Sequence, residues 1–189
     1  MPALLLFAED EGIEYLLTTE IVGKRASDYP DQADLPQVIR HLAAGLRMVH
    51  GVEIAECPFD ATIGSTIERA RQRVELGLVD ENDFDERYLG RKVENLFDEM
   101  NERRPTEEDL VFTHGDFCLP NIILKDERVS GFIDLGSAGI ADRWQDIALV
   151  TRSIRYNYGP NWDDRFLEAY GIKPDYDKLE FYTLLDEFF

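Results

Sequence analysis

Three short motifs hold the residues best suited to chemistry: His114-Gly115-Asp116, then Asn121, then Asp134-Leu135-Gly136. Phosphoryl transfer from a nucleotide asks for little covalent help from a protein. It needs an acceptor hydroxyl held in line and divalent metal to neutralise the phosphate oxygens. Mg²⁺ is a hard cation and takes oxygen ligands. Asp116 would serve the hydroxyl, while the amide of Asn121 and the carboxylate of Asp134 would serve the metal. The five-residue step from Asp116 to Asn121 lets a loop present the first while the second starts a strand. Asp134 closes the partner strand, so a hairpin brings Asn121 and Asp134 to one end. Each residue also has a purely structural reading: turn, loop cap, strand end. The coherence of the set favours the chemical one. His114 reads as a packed, hydrogen-bonded residue rather than an acid or base. Asp146 either faces solvent or bonds the backbone of the His114 loop.

The elements that must position these residues follow from apolar spacing. Residues 3–7 and 13–19 are apolar runs around Glu9-Asp10-Glu11-Gly12, which predicts a β-hairpin. Gly23 to about Asp34 reads as a linker. From Leu35, the positions Val38, Ile39, Leu42, Leu46 and Val49 predict a helix, with Asp34 as N-cap and Gly51 as stop. A second helical pattern runs through Ile67, Val74 and Leu78, and a third through Val93, Leu96 and Phe97 until Pro105 ends it. Leu110-Val111-Phe112 reads as a short buried strand. Asn121 to Leu124 and Val129 to Ile133 read as two more, joined by the turn Lys125-Asp126-Glu127-Arg128. After Ala141 the helical pattern returns through Trp144, Ile147, Ala148, Val150 and Ile154, and further helices are expected over 162–170 and 175–187. The expected class is α+β, mostly helical, with a small central β hairpin and a separate N-terminal β hairpin.

Composition narrows the partners. The chain has 189 residues, 44% of them hydrophobic, with eleven Phe and two Trp, enough for a packed core. Its 39 acidic and 20 basic side chains give a formal charge of −19. That sign argues against nucleic acid, whose phosphates need a positive surface, and against an anionic membrane. It suits a cationic small molecule, although an acidic surface also serves solubility alone. Cys57 and Cys118 stand far apart, in no metal-type spacing, which fits a reducing compartment. The apolar run after Met1 is too short for a signal segment, and nothing approaches the roughly 20 apolar residues of a membrane span. A cytoplasmic protein is expected.

The motif spacings are those of the kinase catalytic loop and its metal-binding motif. From Leu110 to Arg155 the chain more closely resembles the aminoglycoside 3'-phosphotransferase family: Leu-Val-Phe-Thr-His-Gly-Asp, then Gly-Phe-Ile-Asp-Leu-Gly, then Ala-Asp-Arg-Trp-Gln-Asp-Ile-Ala, and finally Arg-Ser-Ile-Arg. The tail Tyr182-Thr183-Leu184-Leu185-Asp186-Glu187-Phe188-Phe189 carries the same likeness. So do Leu16 to Gly23, similar to the hinge between the family's two lobes, and the helix end Arg47-Met48-Val49-His50. The resemblance implies the C-terminal lobe of a protein-kinase-like fold over 23–189, with 1–22 as a remnant of the N-lobe sheet and hinge. It implies ATP or GTP and Mg²⁺ as cofactors, an aminoglycoside as substrate, and antibiotic resistance as the outcome. Asp116 would be the catalytic base, Asn121 and Asp134 the metal ligands, and Thr19 and Ile21 the nucleotide hinge. Arg152 would hold the geometry of the substrate pocket. Asp186, Glu187 and the carboxylate of Phe189 would face substrate ammonium groups; the acidic run 80–86 would either add to that pocket or form a solvated loop. There are two departures. The family has a preceding lobe with a phosphate-binding strand Lys, and no Lys occurs here before Lys24. Ser137 follows Asp-Leu-Gly where the family usually shows Arg. Three readings stay open: an aminoglycoside phosphotransferase, an inactive remnant that at most binds aminoglycosides, and a kinase of another small hydroxylated metabolite.

Overall fold

The computed structural model describes residues 2–29, 32–126 and 128–189. Met1, Pro30 and Asp31 of the expected linker, and Glu127 of the expected turn lie outside them. The expected N-terminal hairpin is present as β1 (Leu4–Asp10) and β2 (Ile13–Thr18), antiparallel and turning at Glu11-Gly12. Thr19 closes its open end: its N–H donates to Ala3 O (2.9 Å), and its Oγ1 accepts from Ala3 N (2.8 Å). Ile21 then packs against Gly131, and Ser130 Oγ donates to Val22 O (2.8 Å).

The segment expected as a linker is partly ordered into the central sheet. Lys24–Arg25 forms β3 and pairs with β5 (Ile122–Lys125), followed by a short 3-10 turn over Ala26–Asp28. Two charged residues carry no apolar signal, so this strand is set by its partner and not by its own side chains. β5 pairs on its other side with β6 (Arg128–Phe132), giving the order β3-β5-β6.

The helices follow their apolar stripes: α1 (Leu35–His50), α2 (Ile63–Glu75), α3 (Val93–Glu102), α4 (Arg143–Tyr158), α5 (Trp162–Tyr170) and α6 (Tyr176–Asp186). Two details differ from the sequence reading. α2 stops before Leu78, which lies exposed, and Asp34 precedes α1 without a side-chain capping bond. Working side-chain caps occur instead at Asp142, which accepts from Trp144 N, and at Asp175, which accepts from Lys178 N.

The strand expected at Leu110 is β4 (Leu110–Thr113). It pairs antiparallel with β7 (Gly139–Asp142), which the sequence reading missed. β7 is four residues of mixed polarity whose partner lies some thirty positions back in sequence, so no local pattern marks it. The core gathers the inner faces of α1, α4, α5 and α6 with β5, around fully buried Leu42, Leu46, Ile122, Ile147, Phe166 and Phe181. Burying each such side chain contributes about 1.5–3 kcal/mol. This block holds the loops between β4 and β5 and between β6 and β7, where the chemical motifs lie.

Candidate active site

The loop after β4 carries His114, Gly115 and Asp116. Gly115 sits at φ +86°, and a Cβ there would collide with the Ser137 carbonyl oxygen and come within 2.7 Å of Ser137 Cβ. The loop after β6 therefore lies directly against the loop after β4, and only glycine permits both the dihedral and the approach. His114 is fully buried. Its Nδ1 accepts from Asp116 N (3.3 Å), and its ring meets Phe117 and Phe132 edge-on. It is a packing and loop-shaping residue, as the sequence suggested.

Asp146 takes the second of its two readings. It is fully buried in the first turn of α4, and its two oxygens accept from His114 N (2.8 Å) and Gly115 N (2.9 Å). A carboxylate gains at a helix N-terminus, so the site suits its charge.

Asn121 ends the 3-10 turn Leu119–Asn121 and leads into β5. Its Nδ2 donates to the Asp116 carboxylate (2.7 Å) and to Asp116 O (3.1 Å). The amide nitrogen thus fixes Asp116, while the amide oxygen, the atom a hard cation takes, is not used by that bond. Ile133 N donates to Asn121 O (3.0 Å), and Ile122 pairs with Phe132, so Asp134 lies one residue past the Asn121 level. Asp134 is exposed, adopts φ +59°, and takes no hydrogen bond among the described residues. An amide oxygen and an unspent carboxylate at adjoining strand ends fit Mg²⁺, which commonly combines one or two protein ligands with phosphate and water oxygens. Among the described residues no three His, Cys, Asp or Glu gather as a metal cluster.

Asp116 also opens onto space. A cavity of about 370 Å³ is lined by Gly115, Asp116, Ser137, Gln145, Arg69, Arg152, Asp186 and Phe189, among others. An adjoining cavity of about 600 Å³ shares Arg152, Asp186 and Phe189, and adds Glu187 with Asp80, Asp83 and Asp85 of the acidic run. Arg152, Asp186, Glu187 and Phe189 thus each border one or both cavities, and of the acidic run 80–86 Asp80, Asp83 and Asp85 do. Asn121 and Asp134 line neither, and Asn121 is joined to the smaller cavity through its bond to Asp116. Thr19 and Ile21 lie at the junction between the first hairpin and the central sheet, away from both cavities.

The charge balance of the tail differs from what its letters suggest. Leu184, Leu185 and Phe188 are buried as expected. The two neighbouring carboxylates at this helix end, Asp186 and Glu187, would repel each other. Internal guanidinium groups offset them. Arg152 bonds Asp186 through NH2 and reaches Glu187 Oε1 through NH1 (3.4 Å). Asp85 N donates to Glu187 Oε2 (2.8 Å). Arg73 donates to Phe188 O (2.6 Å) and Phe189 O (3.2 Å), and both Arg69 and Arg73 lie 5.7 Å from the Phe189 ring centroid. Arg69 and Arg73 escaped the sequence reading because their partners lie over a hundred positions away. Burial still pushes the Asp186 carboxyl up, with Arg152 opposing and the Asp116 charge adding to the push. Glu187 is likewise raised by burial, against the Asp85 N–H and Arg152. Beside them burial drives the Cys118 thiol upward, which keeps it protonated and unreactive.

Comparison with known proteins agrees with this arrangement. The sequence profile described as "Phosphotransferase enzyme family" matches residues 1–182. An aminoglycoside 3'-phosphotransferase of Niallia circulans is 45% identical over 194 residues, covering 100% of this chain and 72% of the relative. One from Escherichia coli is 38% identical, covering 100% and 70%. The crystal structure of an aminoglycoside-3'-phosphotransferase of type VIII superposes with a TM-score of 0.92 at 36% identity, over 100% of this chain and 73% of that one. A Streptomyces rimosus aminoglycoside phosphotransferase, solved with ADP and streptomycin, gives 0.89 at 30% identity, over 99% and 74%. The kinase-like fold, the motif geometry and these similarities together place the chain in the phosphotransferase enzyme family, beside the aminoglycoside 3'-phosphotransferases.

Proposed function

We propose that this chain binds an aminoglycoside in the two joined cavities and directs a nucleotide's γ-phosphoryl group to its 3'-hydroxyl, in the cytosol. The reading rests chiefly on Asp116, which borders the smaller cavity, the one that shares Asp186 with the acid-lined cavity beside it, while its carboxylate is tied to Asn121. In this reading Asp116 orients the hydroxyl and accepts its proton as the new P–O bond forms and the bond to the β-phosphate oxygen breaks. Asn121 and Asp134 would hold Mg²⁺, which would offset the negative charge of the ATP or GTP phosphates. Thr19 and Ile21 form the nucleotide hinge. Asp186, Glu187, Asp80, Asp83 and Asp85 receive the ammonium groups beside Phe189, and Arg152 sets the spacing of the first two. No helix among the described residues is long and apolar enough to cross a membrane.

Turnover and binding of kanamycin test this. Asp116→Ala should lower phosphorylation by about a hundredfold or more, the scale of a lost base and positioning group, with antibiotic affinity little changed. Where the chain alone turns over too slowly to follow, the same pair is compared after fusion to the part of the Niallia circulans relative outside the match. Equal turnover in the two would remove Asp116 from its role.

A second reading, binding without transfer, draws on the first hairpin. Leu4 to Phe7 and Ile13, Tyr15, Leu16 and Leu17 are each more than half exposed, so both faces of β1–β2 are uncovered. A nucleotide seated beside it would meet solvent. Calorimetric titration with MgATP separates the readings: micromolar binding favours transfer, and kanamycin heat without nucleotide heat favours binding alone.

A further inference from the structure

The buried polar groups behind the catalytic loop form a directed chain that reaches beyond Asp146. His50 is the last residue of α1, Tyr170 the last of α5, and Asp146 sits in the first turn of α4. Three helix ends therefore meet at one point. His50 Nε2 lies 3.2 Å from Asp146 Oδ2, with both side chains almost wholly buried, and His50 Nδ1 lies 2.7 Å from Tyr170 Oη. Arg143 NH1 donates to the same phenol oxygen (3.3 Å).

The donor and acceptor roles follow from what each group can do. Asp146 as a carboxylate only accepts, so Nε2 carries a proton. In the neutral ring Nδ1 then accepts, and the Tyr170 hydroxyl must donate to it. Burial pushes the Tyr170 pKa up, with Arg143 opposing, so the hydroxyl keeps the proton it donates. The direction is consistent throughout: Arg143 to Tyr170, Tyr170 to His50, His50 to Asp146. Asp146 in turn accepts from the amides of His114 and Gly115. Chains of this kind polarise one another in a low-dielectric interior, and each member is costly to leave unpaired. Arg47 donates to Ala169 O (2.6 Å) and Tyr170 O (3.2 Å), which pins the end of α5 to α1 and fixes the Tyr170–His50 distance.

We propose that His50 is a positioning residue for the catalytic loop: it holds the Asp146 carboxylate in the one orientation that lets its two oxygens take the His114 and Gly115 amides, and so sets where Asp116 points. Its significance for turnover rests on the function proposed above, but its action on the loop can be read without substrate. Asp146 rotated about its own side chain could keep one amide bond and lose the other. The Nε2–H of His50, delivered to the same Oδ2 that serves His114, blocks that rotation. The ring touches neither cavity, so its effect on Asp116 passes entirely through Asp146.

The test uses the whole 189-residue chain, ¹⁵N-labelled, with amide hydrogen exchange as readout. His50→Leu fills the space without the bonds, and His50→Gln offers an N–H to Asp146 and an oxygen to Tyr170. His50→Leu is expected to speed exchange at His114 and Gly115 by about tenfold or more relative to core amides of α4 and α6, with His50→Gln restoring most of the protection. Tyr170→Phe, which removes only a hydroxyl, is expected to fall between them and serves alone if His50→Leu does not fold. In the parent, imidazole ¹⁵N shifts should show protonated Nε2 and bare Nδ1. Loop amides unchanged in Tyr170→Phe and His50→Leu would overturn the proposal. So would acceleration spread evenly over loop and core, which marks a packing role only. Failure of kanamycin binding would leave these exchange results standing, so the two readings fail separately.

Discussion

Two hairpins that each open on a run of apolar residues have opposite fates in this molecule. β1 opens with Leu4-Leu5-Leu6-Phe7, and every one of these side chains is at least half exposed. β5 is built from Ile122-Ile123-Leu124, and all three are buried, with β3 on one edge and β6 on the other. A continuous apolar run marks a strand built for cover on both faces. Whether it is covered depends on what packs there. At β5 the helices supply the cover, and the adjoining loops gain the rigidity that holds Asp116 and Asn121. At β1 nothing among the described residues does. An exposed apolar strand with open edges is also a template for unwanted pairing.

The turns of the two regions give the sharpest contrast to break. Gly12 (φ +79°) and Gly115 (φ +86°) share a left-handed backbone, yet a Cβ at Gly12 meets nothing within 4 Å, whereas at Gly115 it strikes Ser137. Gly115→Ala should cost about 3–5 kcal/mol, from the dihedral and a forced backbone shift together, while Gly12→Ala should cost about 1 kcal/mol. Urea denaturation of both variants measures this, and equal losses would mean that the two loops do not press on each other. Next in size is the core contrast. Ile122→Ala should lose about 3 kcal/mol, while Leu5→Ala should stay within about 0.5 kcal/mol. A large loss at Leu5 would show that the first hairpin is covered in solution.

The smallest effect lies between these extremes, at the half-buried acids of the tail. Burial raises the Asp186 and Glu187 pKa values, so the folded chain binds their protons more tightly than the unfolded chain does. Their ionisation is therefore a cost to the fold. It is absent below the ordinary carboxylate pKa and grows as pH rises through the raised values. Asp186→Asn should melt at or slightly above the parent temperature at pH 7, the gap closing as the pH falls through that window, while kanamycin affinity weakens. A melting point several degrees lower at pH 7 would show instead that the Arg152 pair holds the end of α6.

Much of this was legible in the chain itself, and the gaps have a common cause. The six helices follow apolar stripes that a sequence displays locally, and the spacing from Asp116 to Asn121 to Asp134 describes one hairpin. β3 and β7 were not legible, because Lys24-Arg25 and Gly139 to Asp142 become strands only through partners far along the chain. Arg73 and Arg152 neutralise the tail from over a hundred and some thirty positions away, so the acidic ending looked less balanced than it is. His50 could be read as a helix end, but not as one member of a buried chain whose parts come from three helices.

The contact between Gly115 and Ser137 has a further meaning in the language of the genetic code. Every single-base change that replaces a glycine codon introduces a side chain or a stop, and at Gly115 any side chain meets the same carbonyl. At Ser137 the carbonyl and Cβ that form the contact are common to every residue but glycine. In a library selected for activity, position 137 should accumulate many letters, while the position facing it stays a single letter with no neighbouring codon to move to.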